Sequence, residues 1–237
     1  QDSISLNPVL FARIKSLYDN RESIGLNTED AWLLERYYKD LVHDGAHLSE
    51  SERERLKKLN EELSKLETQF SKNVLSDTND LAVLVHTVEE LDGLSENEIA
   101  SAAAAAKDRG HEGKWLIGMV NFTGNPVLDS LTNRALRKKI MQESLLKANR
   151  ANGNDNKPIL LQTVKLRAER AKLFGQNTHA EHVIAVQTAE HPDNVHAMLR
   201  KIAPAAARNA KAEAEPITTE TSATEPATTN EFFIHVK

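Results

Sequence analysis

Between Leu56 and Phe70 the chain places Leu56, Leu59, Leu63, Leu66 and Phe70 at steps of three, four, three and four residues. An α-helix turns once per 3.6 residues, so these steps return each side chain to one narrow stripe. Ser49 with Glu52, or Ser51 with Glu54, supplies a capping box ahead of it,. The stripe spans barely three heptads, which favours packing within a domain over an intermolecular coiled coil. The spacing therefore predicts one arm of a helical hairpin. The alternative function it allows is a free-standing helical interaction protein that offers the Leu56–Phe70 seam to a partner.

The rest of the chain agrees with a helical fold. Of its 237 residues 40% are hydrophobic, 27% charged and only 5% aromatic, a balance of amphipathic helices rather than of an aromatic-rich sandwich,. Asn7 as cap and Pro8 at the first helical position introduce Leu10, Phe11, Ile14, Leu17 and Tyr18, with an end near Asn20,. Asn27 or Thr28 caps a second helix whose buried side is Trp32, Leu34, Tyr38 and Leu41, ending at Gly45,. Residues 81–88 and 115–122 turn to β-branched and aliphatic character on either side of the Ala-rich helix Ser95 to Lys107, predicting two antiparallel strands,. Gly124, Asn125 and Pro126 then predict a turn, and Leu128, Leu131, Leu136, Ile140 and Leu145 a helix to about Asn149,.

After the polar loop Arg150 to Lys157, Pro158 starts a helix carrying Leu166, Leu173 and Phe174 that stops at Gly175,. Thr178 and Glu181 have capping-box spacing and open another,. A last helix from Pro192 turns Val195, Met198, Leu199 and Ile202 inward, with a kink or restart at Pro204,. The fold class is mainly α: a multi-helix domain over residues 1–214 with a small two-stranded antiparallel insertion. Residues 215–237 are rich in Thr, Glu and Pro and cannot offset their ordering entropy by burial, so they are expected to be disordered,.

Four stretches carry a resemblance: LNPVLFARI at Leu6–Ile14, LNEELSKLETQFSKNVLSDTN at Leu59–Asn79, NRALRKKI at Asn133–Ile140 and LRAERAKLFG at Leu166–Gly175. In this order and spacing the chain resembles the N-terminal helical half of the thimet oligopeptidase family of zinc metallopeptidases, closest to its bacterial peptidyl-dipeptidase branch. The resemblance covers about Leu6 to Ala212. It departs from the family's Ser-Arg-Gly wording around Arg150 and is lost after about Glu215. It implies hydrolysis of short peptides by a zinc ion on an HExxH helix, the helical half forming one wall of a deep channel. The ion would polarise the carbonyl and acidify bound water, and the motif glutamate would take the proton. A chain of this kind would be a fragment or a frame-disrupted product, with a missing C-terminal catalytic half as its partner and short peptides as substrates of the complete protein.

The sequence itself contains no HExxH. His43 and His47 have the i, i+4 spacing of zinc-binding histidines, but Gly45 lies between them where the helix breaks and Asp44 is shorter than the glutamate required,. His111 and Glu112 open like the motif and meet Trp115 where its second histidine belongs. His179 and His182 read as a surface pair with Glu181 occupied in capping, and His191 and His196 as solvated residues,. No catalytic, metal or cofactor residue is nominated, and zinc is expected only for the complete family member. The chain alone should be inactive.

The net charge of −5 leaves no field for nucleic acid, and the basic run Arg134, Arg137, Lys138, Lys139 reads as a solvated helix face,. No apolar run reaches the roughly 20 residues of a membrane span. The absence of cysteine fits a reducing compartment, so cytoplasm is the expected location,. The chain opens at Gln1 rather than at methionine, which fits a removed signal peptide or a missing upstream segment,.

Overall fold

The computed structural model describes residues 2–221, with the side chains of all of these except 121–125 and 215–221. They form helices α1 (Asp2–Ser5), α2 (Pro8–Asp19), α3 (Thr28–Asp44), α4 (Glu50–Asp80), α5 (Glu96–Asp108), α6 (Asn121–Ser130), α7 (Arg134–Leu145), α8 (Lys157–Leu173), α9 (His179–Ile184) and α10 (Pro192–Thr221). Two strands, β1 (Val83–Val85) and β2 (Trp115–Ile117), flank α5. The chain divides into two compact units. The first combines the residues up to Glu67 with Leu160–Leu199, and the second combines Thr68–Ile159 with the chain from Arg200 onward.

In the first unit the cap of α2 is Asn7, whose Oδ1 accepts from the N–H groups of Val9 and Leu10,. α2 lies against α3 through aromatic stacking: Tyr18 and Tyr38 have ring centroids 4.0 Å apart, with Phe11 on Tyr38 at 6.0 Å,. Each helix of this pair has one principal neighbour, so much of the expected apolar face stays in water. Trp32 is 64% exposed rather than buried, and Leu10 and Leu17 are exposed with it. Leu41 alone of the α3 set is fully inside.

Gly45 ends α3 at φ +103°, and its N–H and that of Ala46 both donate to Leu41 O,. A Cβ there would stand 2.6 Å from Leu56 Cδ2, so glycine is required by conformation and by space,. Ser49 wins over Ser51 as the cap of α4. Glu52 Oε2 accepts from Ser49 N at 2.9 Å while Ser49 Oγ accepts from Glu52 N,.

The Leu seam of α4 is spent inside this unit. Leu56 packs with Leu6, Leu48, Leu173 and Phe174; Leu59 and Leu63 pack with Leu166 and Leu173. The arm that completes the packing is therefore α8, about a hundred residues downstream, rather than an adjacent hairpin partner. Leu59 has no exposed surface, whereas Phe70 is 39% exposed. The buried leucines of the seam leave little of it for an intermolecular interface.

In the second unit β1 and β2 pair antiparallel in the register Val83↔Ile117, Leu84↔Leu116, Val85↔Trp115. Both strands are shorter than 81–88 and 115–122. Leu81 directly follows α4, and Glu90 Oε1 accepts from the N–H groups of His86 and Thr87 to start a 3₁₀ turn at Val88–Leu91. After β2 the chain enters α6, so the expected turn at Gly124–Pro126 is helical, with Pro126 inside the helix. The single helix expected from Leu128 to Asn149 is two. Leu131 and Thr132 leave the helix, and Asn133 caps α7 by accepting from Leu136 N at 3.1 Å.

Arg137 is half-buried and donates to the carbonyls of Leu131 and Thr132, so the basic run is not wholly a solvated face,. The core comprises Leu81, Val83, Val85, Leu91, Ala102, Ile117, Met119, Val127, Leu131, Leu136 and Ile140. α10 continues through Pro204 without a break. Met198, Leu199 and Ile202 on it are about half exposed, not inward. It ends at Thr221, within the segment that composition sets apart, and residues 222–237 of the expected disordered tail lie outside the described residues.

Candidate functional site

The two histidine pairs that look unrelated in the sequence meet in the first unit. Gly45 turns the chain at the end of α3, Gly175 ends α8 in the left-handed region at φ +69°, and Thr178 Oγ1 accepts from Glu181 N to start α9,. These turns bring His43 and His182 face to face, centroids 4.2 Å apart and planes 6° from parallel. Phe174 stacks on His182 at 4.4 Å, and His47 is tilted toward Phe174 at 6.2 Å. Beside the stack lies a cavity of about 690 Å³ lined by Asp2, Asp44, Asn60, Glu67 and Arg170 among others.

The expectation of a surface pair at His179 and His182 is corrected here. His182 is 7% exposed because it fills the slot between His43 and Phe174. His182 Nδ1 lies 3.1 Å from Gln176 Oε1, so in the Nδ1–H tautomer it donates to the amide oxygen,. Burial, then the neighbouring His43 and Arg170, lowers its pKa to about 4,. Desolvation also lowers His43 and His179 and raises Asp44, against which His43 acts in the opposite direction. Arg170 Nη1 reaches Asn60 Oδ1 at 3.4 Å, while Arg170 Nε and His179 Nδ1 are buried without a hydrogen-bond partner. With its pKa lowered to about 4, the His182 imidazole is neutral near pH 7, beside the charged guanidinium of Arg170,.

A zinc ion does not fit this arrangement. Imidazole lone pairs lie in the ring plane, and two parallel rings 4.2 Å apart cannot both aim a nitrogen at one point between them,. Among the described residues no three His, Cys, Asp or Glu side chains are grouped to hold a metal ion. His111 and Glu112 are exposed in the turn before β2. His191 faces Asp193 at 3.4 Å on the surface, and His196 is exposed on α10.

A second buried polar centre, in the second unit, was not singled out in the sequence. Asp77 of α4 has no exposed side-chain surface. Its Oδ1 accepts from Arg150 Nη2 at 2.5 Å and Asn154 Nδ2 at 2.9 Å, and its Oδ2 accepts from Ala148 N at 2.7 Å and Arg150 Nε at 3.2 Å. The Arg150 hydrogen bonds foremost hold its carboxyl down to about 2 despite burial,. One turn earlier Asn73 donates to Asn156 Oδ1, and Asn156 donates to Phe70 O. Together they clamp the loop between α7 and α8, in which Ala148 (φ +52°) and Ala151 (φ +54°) are both left-handed,. The signal was present: Asn73 and Asp77 continue the three-four spacing from Phe70. The clamp is a structural device, with every carboxylate oxygen occupied.

Residues 127–228 match the model of peptidase family M3. The chain is 36% identical over 212 residues to dipeptidyl carboxypeptidase of Escherichia coli (strain K12), covering 90% of this chain and 31% of that protein. It is 33% identical to dipeptidyl carboxypeptidase of Salmonella typhimurium, covering 86% of this chain and 30% of that protein. To the probable cytosolic oligopeptidase A of Arabidopsis thaliana it is 32% identical, covering 81% of this chain and 28% of that protein. The chain therefore spans less than a third of the length of these curated relatives. The helical fold, the four stretches from Leu6 to Gly175 and these similarities converge on peptidase family M3, whose model matches residues 127–228 of this chain.

Proposed function

We propose that this chain is the helical N-terminal part of a zinc peptidase acting on short peptides in the cytoplasm, and that it supplies a wall of the substrate channel rather than the reacting groups. The observation that carries the reading is a disproportion: 90% of this chain aligns with only 31% of dipeptidyl carboxypeptidase. The unmatched length of such a relative has room for a zinc helix, and none of these 237 residues forms an HExxH. Because the parallel rings of His43 and His182 cannot aim at one metal ion, no step of hydrolysis is assigned to them.

Two exposed faces support docking of a further, catalytic segment. Leu160, Leu161 and Val164 on α8 stand 53–64% in water, and Met198, Leu199 and Ile202 on α10 stand 51–53%. Each set has the i, i+1, i+4 spacing of one helix face, which isolated surface helices do not ordinarily keep apolar. Cytoplasm is supported by the absence of cysteine and by the description of one relative as probably cytosolic,. Among the described residues no helix is long and apolar enough to cross a membrane.

The test has two arms. The purified chain should retain no stoichiometric zinc by metal analysis and release no dipeptides from a short unblocked peptide in mass spectrometry. Adding the complementary segment of the Escherichia coli relative should give chelator-sensitive release. Chelator-sensitive cleavage by the chain alone would overturn the proposal, and so would a complementary segment that neither binds the chain nor gains activity from it.

A further inference from the structure

The loop clamped by Asp77 contains Asn152 followed by Gly153, both exposed. An asparagine side-chain amide is attacked by the backbone nitrogen of the next residue when that nitrogen is unhindered and free, and glycine, lacking Cβ, hinders it least. The structure meets each condition. Among the described residues no acceptor holds the Gly153 N–H, and nothing lies within 4 Å of the place a Cβ would take there. Asn152 Oδ1 accepts from Asn154 N at 3.0 Å, which polarises the amide carbonyl toward attack at Cγ. The other asparagines of the loop lack this combination: Asn149 precedes Arg150, Asn154 donates to Asp77 and Ser76, and Asn156 is buried and bonded on both sides.

We propose that Asn152 is a self-modifying site of the folded chain. The Gly153 nitrogen forms a bond to Asn152 Cγ and gives up its proton; the Cγ–Nδ2 bond breaks and ammonia leaves with that proton, closing a succinimide. Water then adds to one of the two ring carbonyls and breaks its bond to nitrogen, leaving aspartate or isoaspartate. Isoaspartate lengthens the main chain by one methylene and adds a charge beside Asp155. Asn152 O accepts from Asp155 N at 3.1 Å, and Asn154 carries one of the four hydrogen bonds to Asp77. The aged loop therefore loosens the clamp.

Native chain is incubated in mildly alkaline buffer and mapped by tandem mass spectrometry, with a synthetic peptide of residues 148–157 beside it. Asn152 should gain about 1 Da as its amide becomes a carboxyl. It should do so on the order of tenfold faster than Asn149 or Asn154, since only its neighbour lacks a Cβ. Gly153→Ala should slow the gain at Asn152 by a similar factor and leave the fold unchanged, because its Cβ meets open space and its φ is not left-handed. Amide exchange at Ala148 should quicken in modified chains. Equal rates at Asn149, Asn152 and Asn154, a rate indifferent to Gly153→Ala, or modification of the peptide but not of the native chain would overturn the proposal.

Discussion

Replacing Asp77 by asparagine keeps the side chain's shape and removes the charge that four donors share. In the wild-type chain the carboxyl is held from an ordinary 3.8 down to about 2. At about 1.4 kcal/mol per pK unit the shift contributes about 2 kcal/mol to the folded state at neutral pH. The folded pKa is lowered, so this contribution is present above about 3.8 and lost as the pH falls through about 2,.

Asparagine also turns an amide N–H₂ toward two of the donors now bonded to Asp77. It leaves Arg150, whose side chain is 26% exposed, with one hydrogen bond to the retained amide oxygen and with Asp80 at 3.5 Å as its charged partner. Breaking a buried pair costs about 3–5 kcal/mol, and Arg150's residual hydration and second partner place this case at about 3. Urea unfolding and native-state exchange of the Ala148 amide read the cost. Asp77→Asn should lose about 3 kcal/mol at neutral pH. The difference from wild type should shrink to about 1 kcal/mol below about pH 2, where both side chains are neutral,. A loss under about 1 kcal/mol at neutral pH, or one that does not change with acid, would refute the assignment of Asp77 as a charged clamp.

His182, lowered from 6.5 to about 4, contributes stability that is complete above about 6.5 and lost as the pH falls through about 4,. The groups around it are His43 from α3, Arg170 from α8, Phe174 and Gln176 just beyond α8, and His179 from its own helix, with Asp40 and Asp44 acting on His43. His182→Phe keeps a ring in the stack and should flatten acid unfolding followed by circular dichroism across that window; an unchanged profile would count against the buried neutral imidazole. Leu59→Ala, at a position with no exposed surface, should cost about 3–4 kcal/mol in chemical unfolding, against under about 1 for the 64%-exposed Leu75→Ala,. Ala151→Gly relieves a left-handed alanine at φ +54° and should raise stability by about 0.5–1 kcal/mol, measured as a higher thermal midpoint,.

How much of this was readable beforehand depended on whether the determinants were local. Caps and stops were legible because they are fixed within four residues: Asn7, Asn27, Ser95 and Thr178 each accept from a backbone N–H three or fewer positions on,. Gly45 and Gly175 were legible because a left-handed residue ends a helix wherever it stands,. The break at Leu131 was not, since apolar spacing continues across it. What ends α6 is partly tertiary: Thr132 N and Oγ1 donate to Asp92, forty residues away. Trp32 and Ile202 were misplaced for a related reason. Their spacing identifies a face, but burial requires a neighbour, and the described residues leave those faces in water.

The polar centres show where a reading restricted to apolar periodicity stops too early. From Leu56 the steps of three and four run through Leu59, Leu63, Leu66 and Phe70 and then on to Asn73 and Asp77 without a change of phase. A polar residue that keeps the phase of a buried stripe is either in water or paired, because an unpaired buried carboxylate would cost several kcal/mol. Asn73 is 4% exposed and Asp77 has no exposed surface, so both are paired. Their long-range side-chain partners, Asn156, Arg150 and Asn154, come from the polar loop that a helical pattern cannot absorb, Arg150 to Lys157. The same argument fails for the histidines, whose i, i+4 and i, i+3 spacings were legible but whose stacking depends on two chain reversals. A histidine spacing therefore constrains a metal site only after the ring planes are known, whereas a charge in phase with a leucine seam already implies a counter-charge.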